Sequence, residues 1–315
     1  MLTTTLTYAS HDGCSTIHAL LWEPNSASKP DFSPRAVVQL VHGMSEHIER
    51  YAGFAEWLCD RGYVVCANDH VGHGASIASE ADLGHLPLNG GEDVLVEDVH
   101  ALRQKVSERY PGAKWAIFGH SMGSFVTRVY LTRHAEGITA AVICGTGQQG
   151  AAQTRAGKLL TSLIAKFRGE RHVSGLVDSM GTGAYGKAIK DARTNVDWIS
   201  TDPEVVDEYV ADPLCGQPFT VGGYHTVACL VADATDEALA RKVPSELPVL
   251  FIAGEQDPVG DCGRGVTAAV SEYRNAGVRV VEKILYPEAR HEVLNEPCHL
   301  EVYADVENFF SRQGI

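Results

Sequence analysis

Lys114-Trp-Ala-Ile-Phe-Gly-His-Ser-Met-Gly-Ser124 is the stretch whose reading decides this chain. Lys114 to Phe118 is mostly apolar and reads as a buried strand. Gly119-His120-Ser121-Met122-Gly123 follows and fits G-x-S-x-G, after which Phe125, Val126, Val129 and Tyr130 recur at helical spacing. Strand, sharp turn and helix form the context in which this motif exposes a serine. Glycines flank Ser121 because a tight strand-to-helix turn leaves no room for side chains. The next backbone N–H, that of Met122, stands at a helix start, where negative charge is favoured and an acyl-transfer oxyanion would form.

Upstream, Leu2 to Tyr8 and His18 to Trp22 read as two strands joined by a turn at Asp12-Gly13. Ala36 to Val41 is a buried strand that ends in His42-Gly43-Met44. Ile48 to Arg61 has Tyr51, Phe54 and Leu58 on one face and Gly62 as its stop, which predicts an amphipathic helix. Tyr63 to Ala67 is the next strand, and Leu95, Val99, Leu102 and Val106 mark a long helix. Ala140 to Cys144 is a further strand. A hairpin followed by strand and helix in turn predicts an α/β protein with a mostly parallel sheet covered on both faces.

Downstream the alternation breaks. From Gln148 to about Lys242 no buried strand is evident, and Leu159, Leu160, Leu163, Ile164 and Phe167 form an apolar stripe. This segment reads as a mostly helical insertion, its stripe packing on the core. The sheet pattern resumes at Pro248 to Ala253 and closes with a strand over Val278 to Leu285 and a helix marked by Val302, Val306, Phe309 and Phe310.

A serine hydroxyl is a weak nucleophile and needs a base. With this elbow, the partners follow in the order serine, acid, histidine, each after a strand. Asp257 lies just past the strand ending at Ala253, and His291 lies in the loop after the last strand, 136 residues beyond Ser121 in the first case and 34 beyond Asp257 in the second. Asp261 and Glu255 are rivals for the acid. The predicted roles are Ser121 as nucleophile, His291 as base and then acid, and Asp257 as the group that orients the imidazole. The Met44 N–H after the third strand is the second oxyanion donor. His42 reads as structural, and Glu46 and His47 as ties between loop and helix start. His70, His73 and His85 lack the cysteine and carboxylate company of a metal site.

The formal net charge of −14, with no Lys/Arg run, argues against a nucleic-acid partner and against residence on anionic membranes. Met1 to Ser10 lacks the pattern of a signal peptide, and no apolar stretch is long enough to span a bilayer. Eight cysteines without a C-x-x-C pair fit small core residues in a reducing cytoplasm.

Together, His42-Gly-Met-Ser-Glu-His47 with Arg50-Tyr51, Asp69-His-Val-Gly-His-Gly-Ala-Ser76, Gly119 to Gly123, Gly254-Glu-Gln-Asp257 and Arg290-His291 resemble the α/β-hydrolase superfamily. The closer likeness is to its monoacylglycerol lipase, lysophospholipase and serine aminopeptidase-like branch. The resemblance implies a core of residues 1–147 and 246–315, a helical cap of residues 148–245 inserted after the sixth strand, and catalysis by Ser121, Asp257 and His291 without cofactor or metal. It implies an oxyanion hole at Met44 and Met122, and an apolar pocket under the cap. The expected substrate is a small-molecule acyl ester of the monoacylglycerol or lysophospholipid kind. Peptidase, thioesterase and carbon–carbon hydrolase are the alternatives on the same frame, and a non-catalytic binding module is the remote one. Any membrane contact is expected to be transient and through the cap.

Overall fold

The computed structural model describes every residue except Pro30. Its sheet is built from β1 (Leu2–Ala9), β2 (Thr16–Glu23), β3 (Val37–Val41), β4 (Val64–Asn68), β5 (Trp115–His120), β6 (Ile138–Cys144), β7 (Val249–Gly254) and β8 (Val281–Tyr286). The spatial order is β1-β2-β4-β3-β5-β6-β7-β8. β1 and β2 form an antiparallel hairpin, and β2 lies antiparallel on β4. All remaining neighbours are parallel. The expected turn sits between the first two strands, where Asp12 Oδ1 accepts from Cys14 N and Ser15 N at 2.8 and 2.7 Å.

Helices α1 (Ala52–Cys59) and α11 (His299–Arg312) cover one face; α2 (Gly91–Arg109), α3 (Met122–Arg133) and α10 (Arg264–Asn275) cover the other. The strand sequences explain both cores. Along β3, Val37 and Val41 point to the α2–α3 side while Val38 and Leu40 point to the α1–α11 side. A strand buried on both faces is mostly apolar, since successive side chains alternate, and its one polar residue, Gln39, is buried with Nε2 donating to Val99 O at 2.8 Å. The predicted helix from Ile48 opens differently from expectation: its first turn, Ile48–Tyr51, is a 3-10 turn, and α1 follows. Side chains from elsewhere hold that turn. Ile48 N–H donates to Asp69 Oδ1 at 3.0 Å, and Tyr51 Oη donates to Glu46 Oε1 at 2.8 Å.

Between β6 and β7 run α4 (Ala151–Arg168), α5 (Gly175–Met180), α6 (Thr182–Gly186), α7 (Pro203–Ala211), α8 (Val221–Ala234) and α9 (Glu237–Ala240). Among the described residues this segment has no strand, only an isolated bridge between Val173 and Thr220. α8 packs on α3, and α4 packs on α8. The α4 stripe divides, contrary to expectation. Leu160 and Ile164 pack on the core, whereas Leu159, Leu163 and Phe167 are 72, 56 and 73% exposed. Residues four apart share a line along a helix, and the adjacent line is turned by about 100°. Only the first line reaches α8.

Candidate active site

The sequence-predicted residues all lie at the carboxyl ends of parallel strands, where ligands bind in open α/β sheets. β4 lies to one side of β3 and β5 to the other, so the chain order reverses there and leaves a crevice. Ser121 sits at this crevice. It follows β5 and caps α3 with φ +53° and ψ −120°, a conformation that costs a non-glycine residue about 1–3 kcal/mol. Its N–H donates to Cys144 O at 3.0 Å. The turn closes only because position 123 is glycine: a Cβ there would stand 2.0 Å from Val41 O and 2.5 Å from His42 O. Met122 is the first residue of α3, so its N–H has no intrahelical partner.

The loop after β3 passes directly over Ser121, and a Cβ on Gly43 would stand 3.0 Å from Ser121 Cβ. Gly43 N–H donates to Glu46 Oε1 at 2.6 Å, which fixes the loop. Among the described residues the Met44 N–H donates to no acceptor in the chain. Met44 and Met122 both line the cavity above Ser121.

His291 and Asp257 meet in the interior, where Nδ1 of the ring donates to Asp257 Oδ2 at 2.9 Å. Both side chains are buried, and Asp257 Oδ1 accepts from Val259 N at 2.9 Å. The rivals lie apart from this pair: Glu255 is exposed, and Asp261 pairs with Arg264 at the surface. The other ring nitrogen, His291 Nε2, is buried and has no hydrogen-bond partner. It therefore makes no hydrogen bond to Ser121, although both residues line the same cavity. Such a gap is ordinary without substrate, since these bonds tighten in the reacting complex. Burial lowers the His291 pKa, but the charge and hydrogen bond of Asp257, with Glu292 and Glu46 behind, outweigh burial and raise it. The His120 ring lies 4.7 Å from that of His291; burial, then the His291 charge, pushes its pKa well below the usual value.

Several contacts of the site join residues too far apart in sequence for their pairing to be read from it. Arg50 spans the loop after β3 and the loop after β8: it donates to Glu46 Oε2 at 3.1 Å and to Glu292 Oε1 and Oε2 at 2.6 and 2.7 Å. Glu46 ties the loop to the helix start, as expected. His47 instead reaches the insertion, pairing with Asp212 at 2.8 Å. Trp198 also comes from the insertion and its ring lies tilted against that of His291, 5.0 Å between centroids, while His291 N–H and Glu292 N–H donate to Trp198 O and Ile199 O. His42 is buried, with its Nε2 accepting from His70 N at 2.9 Å, in keeping with a structural part. His73 donates from Nδ1 to Val71 O at 2.9 Å, and His85 contacts Thr220 Oγ1.

The cavity above Ser121 holds about 920 Å³. Met44, Phe125, Ile199, Val227 and Val231 are among its apolar lining residues, and Lys187, Arg193 and Asn195 among its polar ones. Asp178 also faces it, but Oδ1 already accepts from Tyr224 Oη at 2.6 Å and Thr182 Oγ1 at 3.2 Å. Of the carboxylates on α7 and its cap, Asp202 caps the helix and Asp207 pairs with Arg193. Among the described residues, neither these two nor Glu204 and Glu208 line the cavity.

A family described as serine aminopeptidase, S33 matches residues 33–298. A monoacylglycerol lipase of Mycolicibacterium smegmatis is 29% identical over 280 residues, spanning 88% of each chain. A probable lysophospholipase L2 of Haemophilus influenzae is 24% identical over 91% of this chain and 87% of its own. Among solved structures, a thermostable carboxyl esterase from Bacillus coagulans in complex with glycerol superposes over 100% of both chains with a TM-score of 0.90 and 30% identity. A soluble variant of monoglyceride lipase from Saccharomyces cerevisiae, at 18% identity, shares the fold over 99% of this chain and 95% of its own, with a TM-score of 0.76.

Proposed function

Because this chain belongs to the serine aminopeptidase S33 family of α/β-hydrolases and is a hydrolase, we propose that it cleaves carboxylic esters with a small polar alcohol, of the monoacylglycerol or lysophospholipid kind. The observation that carries the choice is the cavity wall. Apolar side chains that line the same cavity as Ser121 suit an acyl chain. Of the carboxylates that line the cavity, Glu46 and Glu292 are held by Arg50, and Asp178, reached among the described residues only by the hydroxyls of Tyr224 and Thr182, is the one left to meet a peptide's free amine. Esters with those alcohols are also what the names of the relatives specify.

In this reading Ser121 Oγ attacks the carbonyl carbon as its proton passes to His291 Nε2. Asp257 holds the ring by Nδ1–H and stabilises the imidazolium. The carbonyl oxygen becomes an oxyanion and accepts from Met44 N–H and Met122 N–H. His291 then gives the proton to the leaving alcohol, and the acyl group stays on Ser121. A water, deprotonated by His291, attacks the acyl-enzyme carbonyl; the bond to Ser121 Oγ then breaks, His291 returns the proton to that oxygen, and the acid leaves. No cofactor or metal enters these steps. Residues 148–245 act as the cap over residues 1–147 and 246–315.

We assign the exposed Leu159, Leu163 and Phe167 to brief contact with a lipid interface from a cytoplasmic protein. In a chain of net charge −14, α4 carries Arg155, Lys158, Lys166 and Arg168 and no acidic residue. A basic, amphipathic helix lies on anionic interfaces. No helix among the described residues is long and apolar enough to cross a membrane.

The test is hydrolysis of p-nitrophenyl esters of rising chain length, with matched amides, by the wild type and Ser121→Ala. Loss of ester turnover with Ser121→Ala, and a preference for esters, is expected. Equal turnover by the variant would remove the mechanism; a preference for amides of free-amine substrates would make the protein an aminopeptidase.

A further inference from the structure

We propose that His47, Asp212 and Cys215 form a binding site for a zinc-class transition-metal ion, which clamps the loop after β3 to the segment after α7. Among the described residues these three supply the one group of ligating atoms that converges, with His47 Nε2, an Asp212 carboxylate oxygen and Cys215 Sγ all within 4.8 Å of one another. The donor set is imidazole, carboxylate and thiolate, the mixture that suits Zn²⁺. A tetrahedral zinc with ordinary bond lengths sets such atoms about 3.3–3.6 Å apart. The His47–Asp212 contact of 2.8 Å opens by about half an ångström to admit the ion.

The ligands sit on a backbone already held in place. Asp212 Oδ1 accepts from Leu214 N at 2.8 Å, and Cys215 N donates to Asp212 O at 3.1 Å. Across the interface, Ser45 O accepts from Gly216 N and from Tyr209 Oη, both at 2.9 Å, and Ser45 Oγ donates to Gln217 O at 2.7 Å. These bonds hold the His47 loop against the Asp212–Gln217 segment, so the ion meets a near-formed site. His47 and Cys215 are buried, and Asp212 reaches solvent, which leaves a fourth position for water. On binding, Cys215 gives its thiol proton to solvent, and the neutral imidazole keeps its proton on Nδ1 while Nε2 binds the ion.

His47 lies three residues beyond Met44, so an ion here fixes the loop that carries the proposed oxyanion donor against the cap. The binding does not depend on the hydrolytic reading, and its test reads metal alone. The full chain carrying Cys14→Ser and Cys262→Ser, which removes the exposed thiols, is titrated with Co²⁺ and then with competing Zn²⁺. One ion per chain is expected, with thiolate-to-cobalt charge-transfer absorption displaced by Zn²⁺. Adding Cys215→Ser should abolish that absorption and weaken Zn²⁺ by more than about tenfold, as loss of even an outer partner of a ligand does. Asp212→Asn, which keeps the side chain's shape, should weaken binding likewise and serves if the serine variant fails to fold. Absence of the absorption in the parent, or Zn²⁺ affinity unchanged in both variants, overturns the proposal.

Discussion

Arg50 grips Glu292 through both terminal guanidinium nitrogens, at 2.6 and 2.7 Å, and Glu292 is the residue that follows His291. The same guanidinium reaches Glu46, whose carboxylate also holds Gly43 N–H. One cation thus joins the loop bearing the candidate base to the loop bearing a candidate oxyanion donor. A planar fork is what such a junction needs, since it meets a carboxylate with two parallel bonds.

Removal of that cation should be costly. Arg50→Gln leaves two carboxylates buried without their partner, and breaking a buried pair costs about 3–5 kcal/mol. Burial works against the ionised Glu292, yet Arg50 holds its pKa down to about 2, so the pair stands at neutral pH. Thermal unfolding should show a large drop in Tm. Arg50→Lys should recover part of the stability through its charge, and less of kcat, because an ammonium cannot hold both loops in register. A Tm unchanged in Arg50→Gln would refute the clasp.

The pH dependence of hydrolysis should report His291. Its pKa is raised in the folded protein, and the base must be neutral to accept the Ser121 proton. Activity is therefore full at high pH and falls as pH drops through a value above 6.5, the ordinary histidine pKa. In Asp257→Asn the raising charge is gone while burial remains, so the acid limb of kcat/KM should move to lower pH. The same variant should lose kcat by a factor on the order of 10⁴, the cost seen when the orienting carboxylate is lost in serine proteases. An acid limb that stays put in Asp257→Asn would separate Asp257 from the base.

His73 should make the fold sensitive to acid. Burial above all lowers its pKa to about 4. Between pH 6.5 and 4 the unfolded chain protonates this residue and the folded one does not, so stability rises with pH across that window. His73→Asn should flatten the plot of unfolding free energy against pH there by up to one proton, about 1.4 kcal/mol per pH unit. Urea titrations of both proteins from pH 4 to 7 measure the two slopes; parallel slopes would contradict the assignment.

Leu159, Leu163 and Phe167 should matter for surfaces and not for folding. All three are exposed, so serine at each should change stability by no more than about 0.5 kcal/mol per site. Co-sedimentation with vesicles containing anionic lipid should weaken in the triple variant, and weaken further in high salt, which screens Arg155, Lys158, Lys166 and Arg168. Equal sedimentation of wild type and variant would leave the patch without that role.

The strand-rich parts of the chain were legible because their constraints are local. A strand covered on both faces is apolar at nearly every position, and a strand-to-helix elbow must have glycine where Val41 O would meet a Cβ. So the order of strands and helices, the sharp turn at Ser121, and the strand ends that carry Asp257 and His291 follow from periodicity and from a few fixed positions. What periodicity cannot carry is which of two adjacent lines on a helix meets a partner. The α4 stripe shows this, since Leu160 and Ile164 differ from Leu159 and Leu163 only in which way they face.

Only the folded chain decided the pairings between charges far apart in sequence. Arg50 and Glu292 stand 242 positions apart, and His47 and Asp212 stand 165 apart. Nothing in the residues around Arg50 selects Glu292 over the chain's many other carboxylates; both were drawn together because β3 and β8 deliver their loops to the same carboxyl end of one sheet. Trp198 reached the His291 ring by the same route, from an insertion whose own sequence carries no mark of its partner. Local apolar pattern specifies elements because burial acts on each residue where it stands, whereas a contact across the sheet exists only after the strands have been set side by side.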